Sequence, residues 1–399
     1  MAEITVAIIG AGARGKVVYE NSIKDLKNVK VVAICDVNKQ RCEELAKRVE
    51  ECNQIVPSVY EDYKACLDET KPQSVVISTA WEKHLEITEY AMERGIAVAC
   101  EVGGAYSIES LWELVRCYEK TKTPVMMMEN CCYGQIELLA LNMKRMGLLG
   151  KIVHCEGAYR HDLRDELTRD ASYAYYRLYE YIARNCENYP THEIGPIAKL
   201  LDINCGNRFT SLFSVGSGSH GLKEFVEEKN RDFLKGVEFA QSDIVTTLIK
   251  CAGGETVTIT LDTTLPRYYS RGFQVNGTKG MLCEENRSVY LDKDFAETDH
   301  WKWKEHFNNI DEYFDKYNHR LWKDYHPGEA GHGGMDALVY GAFFDALEKG
   351  LPMPIDVYDM ATWMSISVLS EQSIATGSAV AFPDFTDGKW VTRKNNFEL

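Results

Sequence analysis

The 399-residue sequence lacks the features that mark several classes of protein. No stretch approaches the roughly 20 apolar residues that a membrane-spanning helix needs. No run of Lys and Arg could follow a nucleic-acid backbone, and the formal net charge is −15. The thirteen cysteines include no CxxC pair, and no HExxH-type spacing occurs. We therefore expect no membrane, nucleic-acid or metal partner, and a cytoplasmic protein with reduced, mostly buried thiols.

The composition is that of an ordinary globular protein. Hydrophobic residues make up 45% of the chain, and 29 Gly with 10 Pro are too few to suggest extensive disorder. The chain exceeds one ordinary domain and can form two hydrophobic cores. Neither an internal repeat nor a low-complexity segment is present.

The first 125 residues alternate short β-rich runs with amphipathic helical patterns. Five strands are predicted, at Ile4–Ile9, Val29–Cys35, Ser74–Ser78, Ile96–Cys100 and Val125–Met128. The helical stretches predicted between them include Asn38–Glu51, Leu85–Arg94 and Ser107–Lys120, with Asn38 and Ser107 as N-caps. This alternation is typical of a parallel sheet with crossover helices, so residues 1–125 are predicted to form one α/β domain.

The remaining residues, 126–399, are predicted to form an α+β domain on a largely antiparallel sheet. The expected elements are helices Gln135–Met146 and His192–Leu201, the strand Ile152–Glu156, strands between Phe209 and Leu291, and closing helices Asp336–Glu348 and Val357–Ala375. The last helix could pack back on the first domain. The aromatic and Lys-rich stretch His300–Tyr325 predicts no clear element.

A glycine loop, Gly10-Ala-Gly12-Ala-Arg-Gly15, follows the first strand and opens a helix. Gly10 permits a tight turn, Gly12 lets the backbone approach a pyrophosphate, and Gly15 lets helix and strand pack closely. Asp36 ends the next strand, where its carboxylate can accept hydrogen bonds from ribose hydroxyls and repel a 2′-phosphate. The pattern predicts a Rossmann domain that binds NAD rather than NADP. Arg14 could offset that repulsion, and a glycine turn without a ligand is the structural alternative.

Several motifs carry a resemblance to a known family. The Rossmann half, with Cys100-Glu101 at the end of the fifth predicted strand, resembles the Gfo/Idh/MocA oxidoreductases. Those proteins usually read Glu-Lys-Pro where this chain has Glu101-Val102-Gly103, so the lysine that assists net hydride transfer is missing. The segments MMMENCCYG (126–134), EGAYRHDLR (156–164), NYPTHEIGP (188–196), LPRYYSRG (265–272) and GHGGMD (331–336) together resemble glycoside hydrolase family 109, the NAD-dependent α-N-acetylgalactosaminidases. Glu193-Ile194 departs from that family, which more often has Gly-Leu.

The resemblance implies a hydrolase that uses NAD as a catalyst. In such enzymes NAD⁺ takes hydride from C3 of the sugar, a base removes the acidified C2 proton, and the aglycone leaves C1. Water then adds, C2 is reprotonated and the hydride returns, so that hydrolysis is the net result. NAD-dependent glycosidases are a recognised exception to the use of paired carboxylates.

The resemblance also implies residue roles. Tyr159 is the candidate base at C2, and His192 is the candidate that handles the C3 hydroxyl proton. A phenol with a pKa of about 10 would need that pKa lowered to about 7, a change of roughly 4 kcal/mol, and a cation such as Arg177 or Arg164 could supply part of it. By residue type alone, Tyr159 could be a buried core tyrosine and His192 a residue at the start of a helix.

Further contacts follow from the same resemblance. The predicted substrate-binding residues are Glu129, Arg177, Tyr189, Tyr269 and His332, and Glu101 is predicted beside the nicotinamide ribose because ligands of such sheets bind at the carboxyl edge. Each could equally be structural. A net sugar oxidoreductase and a non-catalytic NAD-sensing protein remain the alternative functions. A small-molecule glycoside is the expected partner, and a homodimer or tetramer the expected assembly.

Overall fold

The computed structural model describes residues 3–169, 176–295, 299–327 and 331–397, which form two compact units. The first unit consists of the described residues within Met1–Tyr133, Asp324–Thr362 and Asn396–Leu399. The second consists of those within Gly134–Lys323 and Trp363–Asn395. The predicted division at residue 125 therefore differs from the observed one in two ways: the first segment extends to Tyr133, and Asp324–Thr362 returns to the first unit. Helical periodicity identifies a buried face but not the sheet on which that face packs.

The first unit contains a six-stranded parallel sheet with strand order β3-β2-β1-β4-β5-β6. The strands are β1 (Ile4–Ile9), β2 (Val29–Cys35), β3 (Ser58–Tyr60), β4 (Ser74–Ile77), β5 (Ala97–Cys100) and β6 (Val125–Met127). Strand order reverses beside β1, which pairs with β2 on one side and β4 on the other. Ligands of such sheets bind at this reversal, beyond the carboxyl ends of the strands. The parallel Rossmann sheet confirms the predicted fold of the amino-terminal half.

Five helices connect these strands. They are α1 (Ala13–Val18), which continues as a π-helical turn at Tyr19–Ile23, α2 (Lys39–Asn53), α3 (Tyr63–Thr70), α4 (His84–Met92) and α5 (Ile108–Thr121). The side chain of Asn38 accepts a hydrogen bond from the Arg41 amide at 3.2 Å, and that of Ser107 accepts one from the Ser110 amide at 3.1 Å. Both predicted N-caps are therefore present.

The second unit contains an eight-stranded sheet with strand order β13-β12-β11-β7-β10-β9-β8-β14. The strands are β7 (Ile152–Arg160), β8 (Phe209–Gly216), β9 (Ile244–Cys251), β10 (Thr256–Asp262), β11 (Gln274–Gly277), β12 (Gly280–Cys283), β13 (Ser288–Leu291) and β14 (Val380–Ala381). The pairing of β7 with β10 is parallel and the other pairings are antiparallel. This arrangement confirms the predicted, largely antiparallel sheet.

The remaining helices follow in chain order. They are α6 (Gln135–Arg145), α7 (Arg164–Thr168), α8 (Tyr176–Ala183), α9 (Thr191–Leu200), α10 (Gly221–Glu228), α11 (Ile310–Tyr317), α12 (Arg320–Lys323), α13 (Met335–Lys349) and α14 (Val357–Thr376). Within the second unit, α9 packs closely on β7 because Gly157 has no side chain. A Cβ at Gly157 would lie 2.6 Å from the Glu193 carbonyl oxygen. This close approach fixes the start of α9 against the carboxyl-terminal half of β7.

Two properties of the chain follow from the described residues. No helix among them is both long and apolar enough to span a membrane. All thirteen cysteines lie in the described part and none forms a disulfide. Cys131 and Cys132 are both buried, as expected of cysteines that pack in a core.

Candidate functional site

The glycine loop has the local geometry that its sequence predicts. Gly10 has φ = +101°, and a Cβ there would lie 2.6 Å from the Ser78 backbone. A Cβ at Gly15 would lie 2.0 Å from the Gly10 carbonyl oxygen. Contacts within the protein therefore require glycine at both positions.

Gly12 differs from the other two glycines. Its φ is −70°, an ordinary value, and the nearest atom that a Cβ would meet is Arg41 Nη1 at 4.0 Å. Protein packing does not require glycine at this position. The space that a side chain would fill lies at the N-terminus of α1, where exposed N–H groups suit a phosphate. This open position fits the pyrophosphate of a dinucleotide.

Asp36 is held in place at the end of β2. One carboxylate oxygen accepts a hydrogen bond from the Ala11 amide at 2.8 Å, and the other accepts one from the Asn38 amide at 2.9 Å. The carboxylate is thus tied to the glycine loop and to the start of α2. A carboxylate fixed beside the phosphate-binding loop fits the ribose-binding role predicted for Asp36.

Arg14 joins a buried network of charges in the first unit. Its guanidinium contacts Asp336 at 2.7 and 3.1 Å and Glu101 at 2.8 Å. Tyr340 donates a hydrogen bond to Glu101 at 2.8 Å, and Asn130 donates one to Asp336 at 2.8 Å. The positive charge of Arg14 is therefore balanced by two carboxylates, which reduces its capacity to attract a 2′-phosphate. The network also fixes the Glu101 side chain just after β5.

His332 belongs to the same network. Its Nδ1 lies 2.8 Å from Asp336, and its backbone adopts the left-handed conformation with φ = +52°. Although burial alone would raise the pKa of Asp336, hydrogen bonds from His332 and Arg14 hold that pKa well below its usual value. His332 is half-exposed, so its ring can also contact a ligand.

Glu129 is fully buried just after β6. One of its carboxylate oxygens accepts a hydrogen bond from the Cys131 amide at 3.0 Å. The next residue, Asn130, bonds to Asp336 and so connects this segment to the Arg14 network. Four predicted site residues, Arg14, Glu101, Glu129 and His332, thus lie on or beside one network in the first unit.

The second unit brings together the other predicted site residues. Five rings form a group that we call the tyrosine–histidine cluster: Tyr159, His161, Tyr189, His192 and Tyr269. The ring centres of Tyr159 and Tyr189 are 4.7 Å apart, those of Tyr189 and His192 are 4.7 Å apart, and those of Tyr159 and His192 are 5.5 Å apart. The carboxyl end of β7 supplies Tyr159, and the start of α9 supplies His192. The proposed base and the proposed proton carrier are therefore neighbours.

His161 also belongs to this cluster, although it was not among the predicted site residues. The hydroxyl of Tyr159 lies 3.1 Å from His161 Nδ1, and the ring of His161 lies 5.3 Å from that of Tyr269. Burial, assisted by Arg177 and His192, lowers the pKa of His161 and favours its neutral form. A neutral imidazole can accept a hydrogen bond from the Tyr159 hydroxyl at Nδ1 or, when Nδ1 carries the proton, donate one to a phenolate. One sequence signal could have indicated His161. It lies two residues after Tyr159, and side chains two positions apart point to the same side of an extended chain.

Of the two predicted cations, Arg177 lies at the cluster. Its guanidinium carbon is 4.4 Å from the centre of the Tyr189 ring. Arg164 instead makes two hydrogen bonds to Asp162, at 2.9 and 2.8 Å, and its guanidinium stacks over Phe225. The charge of Arg164 is thus occupied locally, and Arg177 is the better placed cation to favour a phenolate.

Two family models match the chain. Residues 4–129 match a model described as "Oxidoreductase family, NAD-binding Rossmann fold", and residues 133–392 match one described as "Glycosyl hydrolase 109, C-terminal domain". Together they cover both units of the structure, and the second alone covers well over half of the chain.

Similar proteins include two curated relatives named alpha-N-acetylgalactosaminidase. The relative from Tannerella forsythia is 38% identical over 98% of this chain and 88% of its own length. The relative from Shewanella oneidensis is 34% identical over 98% of this chain and 86% of its own length.

Solved structures with the same fold include a sugar dehydrogenase and a polyol dehydrogenase. A levoglucosan dehydrogenase in complex with NADH and levoglucosan has a TM-score of 0.71 at 20% identity, covering 96% of this chain and all of its own. A scyllo-inositol dehydrogenase from Lactobacillus casei with bound NAD(H) and scyllo-inositol has a TM-score of 0.67 at 12% identity, covering 95% of this chain and 99% of its own. These likenesses show the fold, whereas the family model and the curated relatives show the family. The chain belongs to glycoside hydrolase family 109, and its amino-terminal domain is of the Gfo/Idh/MocA oxidoreductase type.

Proposed function

We propose that this protein is an NAD-dependent glycoside hydrolase that releases N-acetylgalactosamine from α-glycosides. The observation that carries the proposal is the contact of Tyr159 with His161 in a cluster that also contains His192. The curated relatives named alpha-N-acetylgalactosaminidase, which align over nearly the whole chain, support the choice of sugar.

The residues of the glycine loop would hold the cofactor. The pyrophosphate would lie against the open position at Gly12 and the N-terminus of α1, and Asp36 would accept hydrogen bonds from the adenosine ribose. The Arg14 network would keep Glu101 oriented towards the nicotinamide ribose. When bound, NAD⁺ supplies a reversible acceptor for the hydride at C3 of the sugar, and the resulting ketone makes the C2 proton acidic.

Tyr159 would remove the proton at C2 and, after exchange with the solvent, donate a proton to C2. Its phenolate oxygen can accept a hydrogen bond from the neutral His161 ring at 3.1 Å when Nδ1 carries the proton, and the charge of Arg177 beside Tyr189 favours the phenolate. Because Tyr159 is buried, its ionised form would be poorly hydrated and so would depend on these neighbours. The same group can act as base in the elimination and as acid when water adds.

His192 would hold the proton of the C3 hydroxyl. It is the second residue of the buried helix α9, and its ring lies against Tyr159 and Tyr189. An imidazole can accept or donate a proton near neutral pH, as the reversible oxidation at C3 requires. Tyr189 and the half-exposed Tyr269 would cover the C–H surfaces of the sugar, with Arg177 as a further polar contact. The substrate contacts predicted for Glu129 and His332 stay predictions.

The alternative is a net sugar oxidoreductase, which the fold shared with polyol dehydrogenases favours. Position 102 weighs against it. Val102 is buried and apolar, and it occupies the position where the dehydrogenases of this type usually have a lysine that assists hydride transfer. Val102 cannot exchange a proton with a hydroxyl, so net oxidation would need another acid or base.

A screen of chromogenic α- and β-glycosides with added NAD⁺ tests the proposal. We expect α-N-acetylgalactosaminides to release the chromophore while the absorbance of NADH stays flat over many turnovers. Accumulation of NADH in proportion to the sugar consumed would replace the proposal with the oxidoreductase alternative. Binding of NAD⁺ without turnover of any glycoside would favour an NAD-sensing protein.

A further inference from the structure

Two carboxyl groups are buried together next to the tyrosine–histidine cluster. Glu187 lies two residues before Tyr189, and Glu193 follows His192 on α9. Their exposed fractions are 0% and 1%, and the two carboxyl groups lie within hydrogen-bonding reach of each other. The proposed mechanism uses neither residue.

The surroundings of this pair do not compensate two negative charges. Apart from their mutual contact, none of the four carboxyl oxygens meets the geometry of a full hydrogen bond to any described side chain or backbone group. The backbone N–H groups of Tyr189 and Leu261 lie near Glu187, and that of Thr260 lies near Glu193. Burial raises the pKa of both glutamates above the usual value. Two like charges so close in a buried site cannot both form near neutral pH.

The charged groups around the pair are largely occupied elsewhere. Among the described residues, the positive charge of Arg160 on β7 favours the charged form of Glu193. Arg160 also forms an ion pair with Glu285. Other titratable side chains on the elements packed against α9 have ion pairs or ring contacts of their own: Glu137 with Arg271, Lys144 with Asp202, His154 with Glu156, Asp262 with Arg267, and Lys199 with the ring of Trp363. Tyr159, Tyr189 and His192 are further titratable groups beside the pair. Two buried thiols also lie on the neighbouring chain, Cys155 on β7 and Cys186 directly before Glu187, and burial raises the pKa of both.

The pair is connected to the cluster at three points. Glu187 lies near the amide of Tyr189, a member of the cluster. It also lies near the amide of Leu261, which stands opposite Tyr159 in the pairing of β10 with β7. Glu193 directly follows His192 in the chain. A change of charge on the pair would therefore act on Tyr159 and His192 over a short, buried distance, where electrostatic interactions are strong.

We infer that Glu187 and Glu193 form a carboxyl pair that shares a proton. By keeping this proton, the pair limits the negative charge beside Tyr159 and His192. It thereby acts as a positioning pair that influences whether these two side chains are protonated. The pair retains at least one proton at neutral pH. As the pH rises and this proton is lost, the added negative charge disfavours the phenolate of Tyr159, and hydrolysis declines. The effect on catalysis rests on the proposed function, whereas the shared proton does not.

The double substitution Glu187→Gln/Glu193→Gln tests the inference, because two amides can still bond to each other but cannot titrate. In the wild-type protein we expect an infrared band of a protonated carboxyl group at pH 7 that is absent from the double variant. We expect the alkaline limb of kcat to move upward by about one pH unit, so that the variant is about tenfold faster than the wild type above that limb. Glu371→Gln on α14 is the matched control, because it also removes a carboxylate, one that pairs with Arg184. It should change neither the infrared band nor the alkaline limb of kcat.

Two results would overturn the inference. Absence of the protonated-carboxyl band from the wild type at pH 7 would show that no proton is shared. Superimposable pH profiles of kcat for the wild type and the double variant would show that the pair does not act on the cluster. A merely structural role would alter stability without moving the alkaline limb.

The test remains decisive if no glycoside is hydrolysed or if the double variant does not fold. The difference between the ultraviolet spectra of the wild type and Tyr159→Phe reports the Tyr159 phenolate without substrate. In a protein that carries the glutamine substitutions, this phenolate should form at a lower pH. In the single variant Glu193→Gln, the new amide can donate a hydrogen bond to the Glu187 carboxylate. The infrared band of the protonated carboxyl group should therefore disappear at a lower pH than in the wild type. An unmoved band and an unmoved phenolate titration would reject the inference whatever the substrate.

Discussion

Replacement of Tyr159 by Phe is expected to lower kcat for α-N-acetylgalactosaminide hydrolysis by about 10³-fold, within the usual range for loss of a general base. The substitution removes the oxygen that lies 3.1 Å from His161 Nδ1 and keeps the ring that packs against Tyr189 and His192. The loss should therefore appear in kcat much more than in KM, because the substrate would still meet the same aromatic surface. Steady-state kinetics with a chromogenic substrate at saturating NAD⁺ measure it.

The neighbouring substitution Tyr268→Phe is the matched control. Tyr268 is largely exposed, and its ring contacts Arg267 rather than the cluster. Loss of its hydroxyl should leave kcat within about twofold of the wild type, as expected for a group that makes no contact with the reacting atoms. A Tyr159→Phe variant that keeps more than a tenth of the wild-type kcat would show that another group removes the C2 proton.

Substitution of Ala for Gly12 is expected to weaken NAD⁺ binding by about 10- to 100-fold while leaving the fold intact. The new methyl group would meet no protein atom closer than Arg41 Nη1 at 4.0 Å, but it would occupy the space assigned to the pyrophosphate. Overpacking of this kind typically costs about 1–3 kcal/mol, and each 1.4 kcal/mol is tenfold in affinity. Calorimetric titration with NAD⁺ and urea unfolding of the free protein separate the two effects.

Gly15→Ala provides the contrast. Its methyl group would lie 2.0 Å from the Gly10 carbonyl oxygen, so this variant should lose about 3 kcal/mol in free energy of unfolding even without cofactor. Unchanged NAD⁺ affinity in Gly12→Ala would remove the evidence that the open position holds a phosphate. Equal destabilisation in Gly12→Ala and Gly15→Ala would contradict the assignment of Gly12 to ligand binding.

The amino-terminal sheet was largely predictable because its strands are buried and regular. β1 and β2 begin and end at the predicted residues, and the other predicted strands differ by one residue at an end. β3 was not predicted because a strand of three residues is too short to show a periodic pattern, and the short helix α3 that follows it was not predicted either. Asp324–Thr362 could not be assigned to the first unit because pattern alone does not identify a packing partner.

Strand β7 shows how a functional constraint can hide a structural element. The predicted strand ends at Glu156, whereas the observed strand continues to Arg160 and carries Tyr159. Gly157 interrupts the β-rich pattern, yet it is needed for the close approach of α9, since a Cβ there would lie 2.6 Å from the Glu193 carbonyl oxygen. The same residue thus weakened the strand prediction and brought His192 near Tyr159.

The candidate site was only partly predictable. The resemblance supplied Tyr159, Tyr189, His192 and Tyr269, which the structure brings into one cluster. Residues that act through distant contacts gave no local signal: Asp336 bonds to Arg14 across 322 positions in sequence. Glu187 was missed for another reason, because glutamate is ordinarily exposed and its burial could not be inferred from its neighbours.

The most direct test of the account is hydrolysis in D₂O, because the proposed elimination removes the C2 proton in every turnover and replaces it with one that has exchanged with the solvent. Mass spectrometry and proton NMR of the released sugar should show one deuterium at C2, absent from sugar incubated with the Tyr159→Phe variant. Product formed at the full rate with hydrogen retained at C2 would contradict the proposed mechanism.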